Sequence, residues 1–161
     1  MGVADWLRVF RALHDKARAG SLQGEDADAY RAGCDELARA LMAAQRQAAR
    51  PGDAPRHALR VARALQVDLE TPISHVRAMT LDLGVTGFSA LLAKAPPAGE
   101  AQKCTLKVPG GEAIETTATP IEVKPQPGNV KASFAFGRLP DAARARLELL
   151  VIDTALSQLA T

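Results

Sequence analysis

The chain has 161 residues, of which 47% are hydrophobic and only 4% are aromatic. This composition excludes a wholly disordered chain and allows one packed domain with a small appendage, whose core must consist mainly of aliphatic side chains. The formal net charge of +2 is too small to indicate a surface for nucleic acid or for an anionic membrane.

The first 20 residues, MGVADWLRVFRALHDKARAG, carry a charge every few positions and contain no apolar h-region. They therefore predict neither a signal peptide nor a membrane-spanning helix, and we expect a cytoplasmic protein without membrane contact. The cysteine and histidine residues are scattered and match no metal-ligand spacing, so no metal site is predicted. Cys34 and Cys104 are expected to be small buried residues rather than disulfide partners or nucleophiles.

Two apolar stripes with helical spacing occupy the N-terminal third of the chain. The first contains Trp6, Phe10, Leu13 and Ala17, and the second contains Tyr30, Cys34, Leu37 and Leu41. With the loop AGSLQGED between them, they predict an αα-hairpin within residues 1–52. Because such a hairpin cannot bury both stripes alone, it needs a partner. The partner is either the following domain, which we favour, or a second copy in a homodimer.

After a break at residues 50–55, apolar residues recur at every second position. Strands are predicted at residues 65–70, 75–83, 88–92, 103–108, 114–123 and 130–136. Six short strands without long helices between them predict a small antiparallel barrel or sandwich. The segment from Pro140 onward predicts a C-terminal helix. We therefore expect a mainly β domain over residues 53–161, flanked by helices.

Two arginines, Arg56 and Arg60, stand four residues apart just before the first predicted strand. As a pair they are typical of a solvated helix face, of an anion site or of a non-specific nucleic-acid contact, and the small net charge disfavours the last. The second predicted strand ends at Asp82, beside the glycines Gly84 and Gly87. A carboxylate there complements the donor edge of guanine, while arginines complement its acceptor edge and a phosphate. The order of these residues therefore favours an anion or guanine site.

These segments also resemble a known family. From Arg56 to about residue 160 the sequence resembles a PilZ domain, a small six-stranded antiparallel β-barrel that serves bacteria as a receptor for cyclic di-GMP (c-di-GMP). Its RxxxR motif is present as RHALR, residues 56–60, and its D/N-x-S-x-x-G motif is present as DLGVTG, residues 82–87. Gly84 stands where the family has serine.

The resemblance implies a ligand site and no catalysis or cofactor. Arg56 and Arg60 would grip the phosphates and guanine of c-di-GMP, Asp82 would contact a guanine edge, and Gly87 would allow the turn and close approach of the ligand. The hydroxyl missing at Gly84 is worth about 0.5–1.5 kcal/mol, so we expect affinity weakened roughly tenfold or less. Ligand binding would order the arginine loop and change the helix–barrel arrangement.

Three other functions are alternatives to the receptor. An adaptor of the same fold would bind a partner protein without the nucleotide, and the loss of serine at Gly84 motivates it. Nucleic-acid binding rests only on four arginines, Arg56, Arg60, Arg63 and Arg77, and is not expected. Enzyme activity is not expected either, because the sequence suggests no nucleophile–base arrangement and no paired carboxylates.

Overall fold

The structure is a computed structural model that describes residues 2–45, 47 and 54–159. Contacts within the chain divide it into two compact units. The first, the helical unit, comprises Met1–Leu59 and Glu148–Thr161, and the second, the barrel unit, comprises Arg60–Leu147. The predicted domain boundary between residues 52 and 53 lies outside the described residues and stays a prediction. Within the described part of the chain, no helix has both the length and the apolarity needed to span a membrane.

The helical unit contains the predicted hairpin, formed by α1 (Val3–Arg18) and α2 (Gly24–Ala44). It also contains a single helical turn, α3 (Pro55–Ala58), and the end of α4 (Asp141–Leu159). The two hairpin helices meet through stacked rings, with centroid distances of 5.2 Å for Trp6–Phe10 and 5.4 Å for Phe10–Tyr30. Gly33 permits this contact, because a Cβ atom there would lie 2.6 Å from the Phe10 ring.

A buried polar centre joins α1 to both α2 and α4. The His14 side chain is only 3% exposed; one ring nitrogen lies 2.7 Å from the Tyr30 hydroxyl and the other lies 3.2 Å from Asp153. Around it, α4 buries Val151, Ile152, Ala155 and Leu156. The hairpin therefore packs on the end of α4 within the helical unit. The choice between the following domain and a second copy as its partner stays a prediction.

The barrel unit contains seven antiparallel strands, all in one sheet. They are β1 (Val61–Ala62), β2 (Gln66–Thr71), β3 (Ser74–Leu83), β4 (Gly87–Leu92), β5 (Gln102–Leu106), β6 (Ile114–Gln126) and β7 (Asn129–Phe136). Strands β3, β2, β5, β6, β7 and β4 form a ring, which the pairing of β4 with β3 closes, and β1 is an extra strand on β3. The predicted six-stranded antiparallel barrel with flanking helices is confirmed.

The barrel core follows the two-residue period of the strands. Inward-facing positions are almost fully buried, and the largest side chains are Phe88 and Phe134, whose stacked rings lie 5.0 Å apart. Aliphatic residues such as Val67, Leu69 and Leu106 fill the remainder. Cys104 is one of these core residues; burial raises the pKa of its thiol to about 12, so the thiol stays protonated. Cys34 is also buried, and both cysteines are free, as expected.

The buried histidine makes stability depend on pH. Burial lowers the pKa of His14 below its ordinary value of 6.5, although the Asp153 carboxylate acts in the opposite direction. Below pH 6.5 the unfolded chain therefore binds a proton at this position that the folded protein resists. We expect the free energy of unfolding to fall as the pH drops from 7 through 6.5 to 5. Urea titrations at several pH values measure it.

The control for this pH dependence is His14→Gln, which keeps a polar side chain and cannot titrate. Its free energy of unfolding should change less between pH 7 and pH 5 than that of the wild type. Equal slopes in the two proteins would show that other groups cause the effect.

Candidate functional site

The glycine turn that the sequence singled out connects β3 to β4. The Gly84 N–H donates a 2.9 Å hydrogen bond to the Gly87 carbonyl, and the next pairs outward are Leu83 with Phe88 and Asp82 with Ser89. Gly84 and Val85 are buried, whereas Thr86 is exposed. The turn is thus a compact part of the barrel, and Asp82 stands two residues from it on the strand.

Gly87 is required by the neighbouring strand. It pairs with Ala135 of β7, and a Cβ atom at this position would lie 2.0 Å from the Phe134 carbonyl oxygen. No side chain fits so close to a backbone oxygen without moving one of the strands. The packing of β4 on β7 is therefore enough to explain the glycine, and its predicted role in ligand approach remains a prediction.

Asp82 is held by two donors at once. Arg60 Nη1 donates to Oδ1 at 2.9 Å, and the buried hydroxyl of Ser89 donates to Oδ2 at 2.6 Å. The side chains of Arg60 and Asp82 are 27% and 33% exposed, so both face solvent in part. The structure therefore brings together the two residues that the sequence placed in different motifs.

Thr80 fixes the segment that carries Arg60. Its hydroxyl donates to the carbonyl of Arg63 and accepts the Leu65 N–H at 2.8 Å, while its own N–H donates to the Leu65 carbonyl. Immediately after Thr80, the pairing of β3 with β4 shifts register. Because Thr80 ties residues 63–65 to β3, the chain just before them must pass the end of β3, where Asp82 lies.

The other arginine of the motif has a different environment. Arg56 lies in α3 of the helical unit, where its backbone N–H and its Nη1 donate to the two carboxylate oxygens of Asp35 at 3.2 and 2.8 Å. The next residue, His57, is hydrogen-bonded to Glu148 of α4. Arg60 belongs to the barrel unit. The two arginines thus contact different aspartates, and α2 and α4 hold the segment that contains Arg56. Their predicted convergence on one ligand stays a prediction.

Two residues of this arrangement were not singled out from the sequence. Ser89 had a recognisable signal, because a hairpin that pairs Leu83 with Phe88 also places residues 82 and 89 opposite each other. Asp35 had none, since its partner is 21 positions away in the single helical turn α3. The 82–89 pair also shows that a serine hydroxyl contacts Asp82, although from position 89 instead of 84.

The exposed part of this arrangement can bind a ligand that has both donors and acceptors. A carboxylate has about four acceptor positions, so Asp82 retains capacity beyond its two present bonds. Arg60 has five N–H donors, which suit a phosphate or the O6/N7 edge of guanine. Among the described residues there is no cluster of histidine, cysteine and acidic side chains suited to a metal ion.

Comparisons with known proteins give similarity in structure only, since no protein-family model and no curated protein matches the sequence. The inhibitor of motility MotI (DgrA) of Bacillus subtilis has a TM-score of 0.55 and 20% identity, covering 63% of this chain and 50% of that one. YcgR of Escherichia coli, in complex with c-di-GMP, has a TM-score of 0.53 and 18% identity, covering 63% and 46%.

The isolated PilZ domain of Escherichia coli YcgR with c-di-GMP has a TM-score of 0.51 and 15% identity, covering 62% of this chain and 91% of that domain. The barrel has the PilZ fold. The match takes in about half the length of MotI and of full-length YcgR, so the similarity concerns the PilZ domain alone. At 15–20% identity it defines the PilZ fold and leaves the ligand to be argued from the residues.

Replacement of the PilZ-motif glycine by alanine tests the structural role of Gly87. Because the new methyl group would overlap the Phe134 carbonyl, we expect Gly87→Ala to lose about 1–3 kcal/mol of unfolding free energy and to lower the melting temperature. Calorimetry or circular dichroism measures the shift.

Thr86→Ala is the matched control, since Thr86 is exposed on the same turn. It should leave the melting temperature nearly unchanged. If Gly87→Ala were as stable as the wild type, the close approach of β4 and β7 would not be what demands glycine.

Proposed function

We propose that this protein is a PilZ-type receptor or adaptor that binds c-di-GMP with weakened affinity and changes the arrangement of its arginine segment when it does so. The observation that carries this proposal is the pair formed by Arg60 and Asp82, 2.9 Å apart and partly exposed beside the β3–β4 turn. No catalytic step is part of the proposal.

The chemistry of the pair supports a guanine nucleotide. Guanine presents N1–H and N2–H₂ donors to a carboxylate and O6 and N7 acceptors to an arginine. Ser89 already orients the Asp82 carboxylate, so ligand binding costs little additional side-chain entropy at this residue. Two of the similar structures, full-length YcgR and its PilZ domain, contain c-di-GMP.

Weakened affinity follows from two features. Gly84 provides no hydroxyl where the family motif has serine, and Arg56 is engaged with Asp35. A ligand that uses Arg56 must compete for this guanidinium, and the segment must leave its present contacts. The same competition would produce the proposed change in the arrangement of the segment that contains Arg56.

Isothermal titration calorimetry with c-di-GMP tests the proposal. We expect measurable binding to the wild type and a loss of roughly 10- to 100-fold in affinity for Arg60→Ala, because a bidentate arginine contact is worth about 1–3 kcal/mol. Absence of binding heat at high ligand concentration with the wild type would refute the proposal.

Arg77→Ala is the matched control for this titration. Arg77 also pairs with an aspartate, Asp68, across two strands of the same barrel at 3.3 Å, but it lies outside both motifs. Its loss should leave the affinity for c-di-GMP unchanged. An equal loss in both variants would indicate a general effect of charge.

The second candidate function is an adaptor that binds a partner protein without nucleotide. Gly84 favours it, because this residue is buried within the turn and has no side chain to offer a ligand. A partner whose capture survives the double variant Arg56→Ala/Arg60→Ala and is insensitive to c-di-GMP would support this function. Dependence of the capture on both arginines would favour the receptor.

A homodimer through the N-terminal helices is a further part of the proposal. Val3 and Val9 of α1 are exposed, and α1 and α2 line an apolar cavity of about 400 Å³ with Trp6 in its wall. We expect light scattering to give a dimer mass for the wild type and a lower mass for Val9→Glu. A monomer mass for the wild type at high concentration would rule out the dimer.

A further inference from the structure

We propose that Asp35 is an internal competitor for the ligand: it occupies Arg56 in the absence of c-di-GMP and must release it before that arginine can bind a phosphate or guanine. This inference rests on the proposed function and adds a regulatory residue on α2, outside the PilZ barrel and its motifs.

Asp35 contacts Arg56 through both of its carboxylate oxygens. One carboxylate oxygen accepts the backbone N–H of Arg56 and the other accepts the guanidinium, so Asp35 fixes both the main chain and the side chain. A carboxylate that accepts two such donors has half of its acceptor capacity satisfied by a single residue. The result is a clamp on the first residue of the RxxxR motif.

The surroundings of this pair make it stronger than an ordinary surface ion pair. The side chains of Arg56 and Asp35 are 21% and 19% exposed. The other arginine–carboxylate pairs among the described residues of the helical unit are all more exposed than this one; they are Arg8–Asp5, Arg18–Asp153 and Arg31–Asp28. Solvent and salt screen such exposed pairs, whereas a partly buried, charge-assisted pair is screened much less.

Helix propensity does not explain an aspartate at position 35. This residue lies in the interior of α2, where aspartate is less favourable than most residues, and it is far from the first turn, where a carboxylate would benefit from the helix dipole. Its evident interaction is with Arg56. The same α3 turn is held on its other side by the bond between His57 and Glu148.

Competition follows from how Asp35 holds Arg56. The guanidinium and the backbone N–H both donate to this one carboxylate, so the side chain and its segment are directed at Asp35 as long as the clamp holds. Ligand binding therefore frees Asp35 as a partly buried carboxylate without its partner. Because Asp35 lies on α2, the contacts of this helix would differ between the ligand-free and the ligand-bound protein.

Asp35→Asn is the direct test, measured by calorimetric titration with c-di-GMP. The amide keeps an oxygen acceptor for the Arg56 N–H and removes the charge, so we expect affinity to rise roughly three- to tenfold, in line with the difference between charge-assisted and neutral hydrogen bonds. Asp28→Asn is the matched control: it removes the same charge from the same helix at an exposed pair, and should leave affinity unchanged.

A double variant shows whether the effect passes through Arg56. In an Arg56→Ala background, Asp35→Asn should no longer increase affinity, because the competitor has nothing left to hold. A similar gain with and without Arg56 would overturn the inference.

If Asp35→Asn fails to fold, the wild type provides a second measurement. The backbone amide resonance of Arg56 should shift when c-di-GMP saturates the protein, because its bond to Asp35 is lost. An unchanged resonance at saturation would overturn the inference.

The outcomes separate this inference from the proposed function. Equal affinity of the wild type and Asp35→Asn overturns the clamp and leaves the receptor intact. If Asp35→Asn binds c-di-GMP and the wild type does not, both the proposed function and the inference are supported, and Asp35 prevents binding in the wild type. If neither protein binds c-di-GMP, the proposed function fails and the inference fails with it.

Discussion

The site depends on a change of partner along β3. Up to Met79 this strand pairs with β2, and its last two residues, Asp82 and Leu83, pair instead with the short β1. Between these two parts, Thr80 uses its hydroxyl and its backbone to hold the chain that leads from β1 to β2. Since Arg60 directly precedes β1, this one buried threonine determines how the arginine reaches Asp82. A buried hydroxyl is costly unless its hydrogen-bonding groups are satisfied, and the Thr80 hydroxyl both donates and accepts.

The closed barrel then supplies rigidity that a loop site would lack. The β3–β4 pairing both completes the ring and places Ser89 opposite Asp82, so the same contact that stabilises the fold orients the carboxylate. The two arginines of the RxxxR motif are held by different aspartates, one in each unit. A short sequence motif therefore connects two sets of contacts, one in each unit.

Much of this architecture could be predicted from the sequence. The two-residue period was strong enough to locate six strands, and the 3.6-residue period located the hairpin and the final helix. The order of the motifs predicted that Arg60 and Asp82 would lie near each other, together with Arg56; the ion pair between Arg60 and Asp82 was not predicted. β1 could not be found, because a strand of two residues contains no period; it pairs with the last two residues of β3. The clamp between Asp35 and Arg56 is a tertiary contact between the interior of α2 and the single turn α3, for which no local pattern exists.

The position of Gly87 bears on how such sequences are interpreted. A glycine here is demanded by the carbonyl of Phe134 on the neighbouring strand, regardless of what binds outside the barrel. A descendant of this protein that lost Arg60 and Asp82 would still lose stability if that glycine were replaced. Genome surveys that score the final glycine of the motif as a sign of second-messenger binding would count such a descendant as a receptor. In this barrel the packing of β4 on β7 explains the glycine by itself, so the glycine alone is no sign of a ligand.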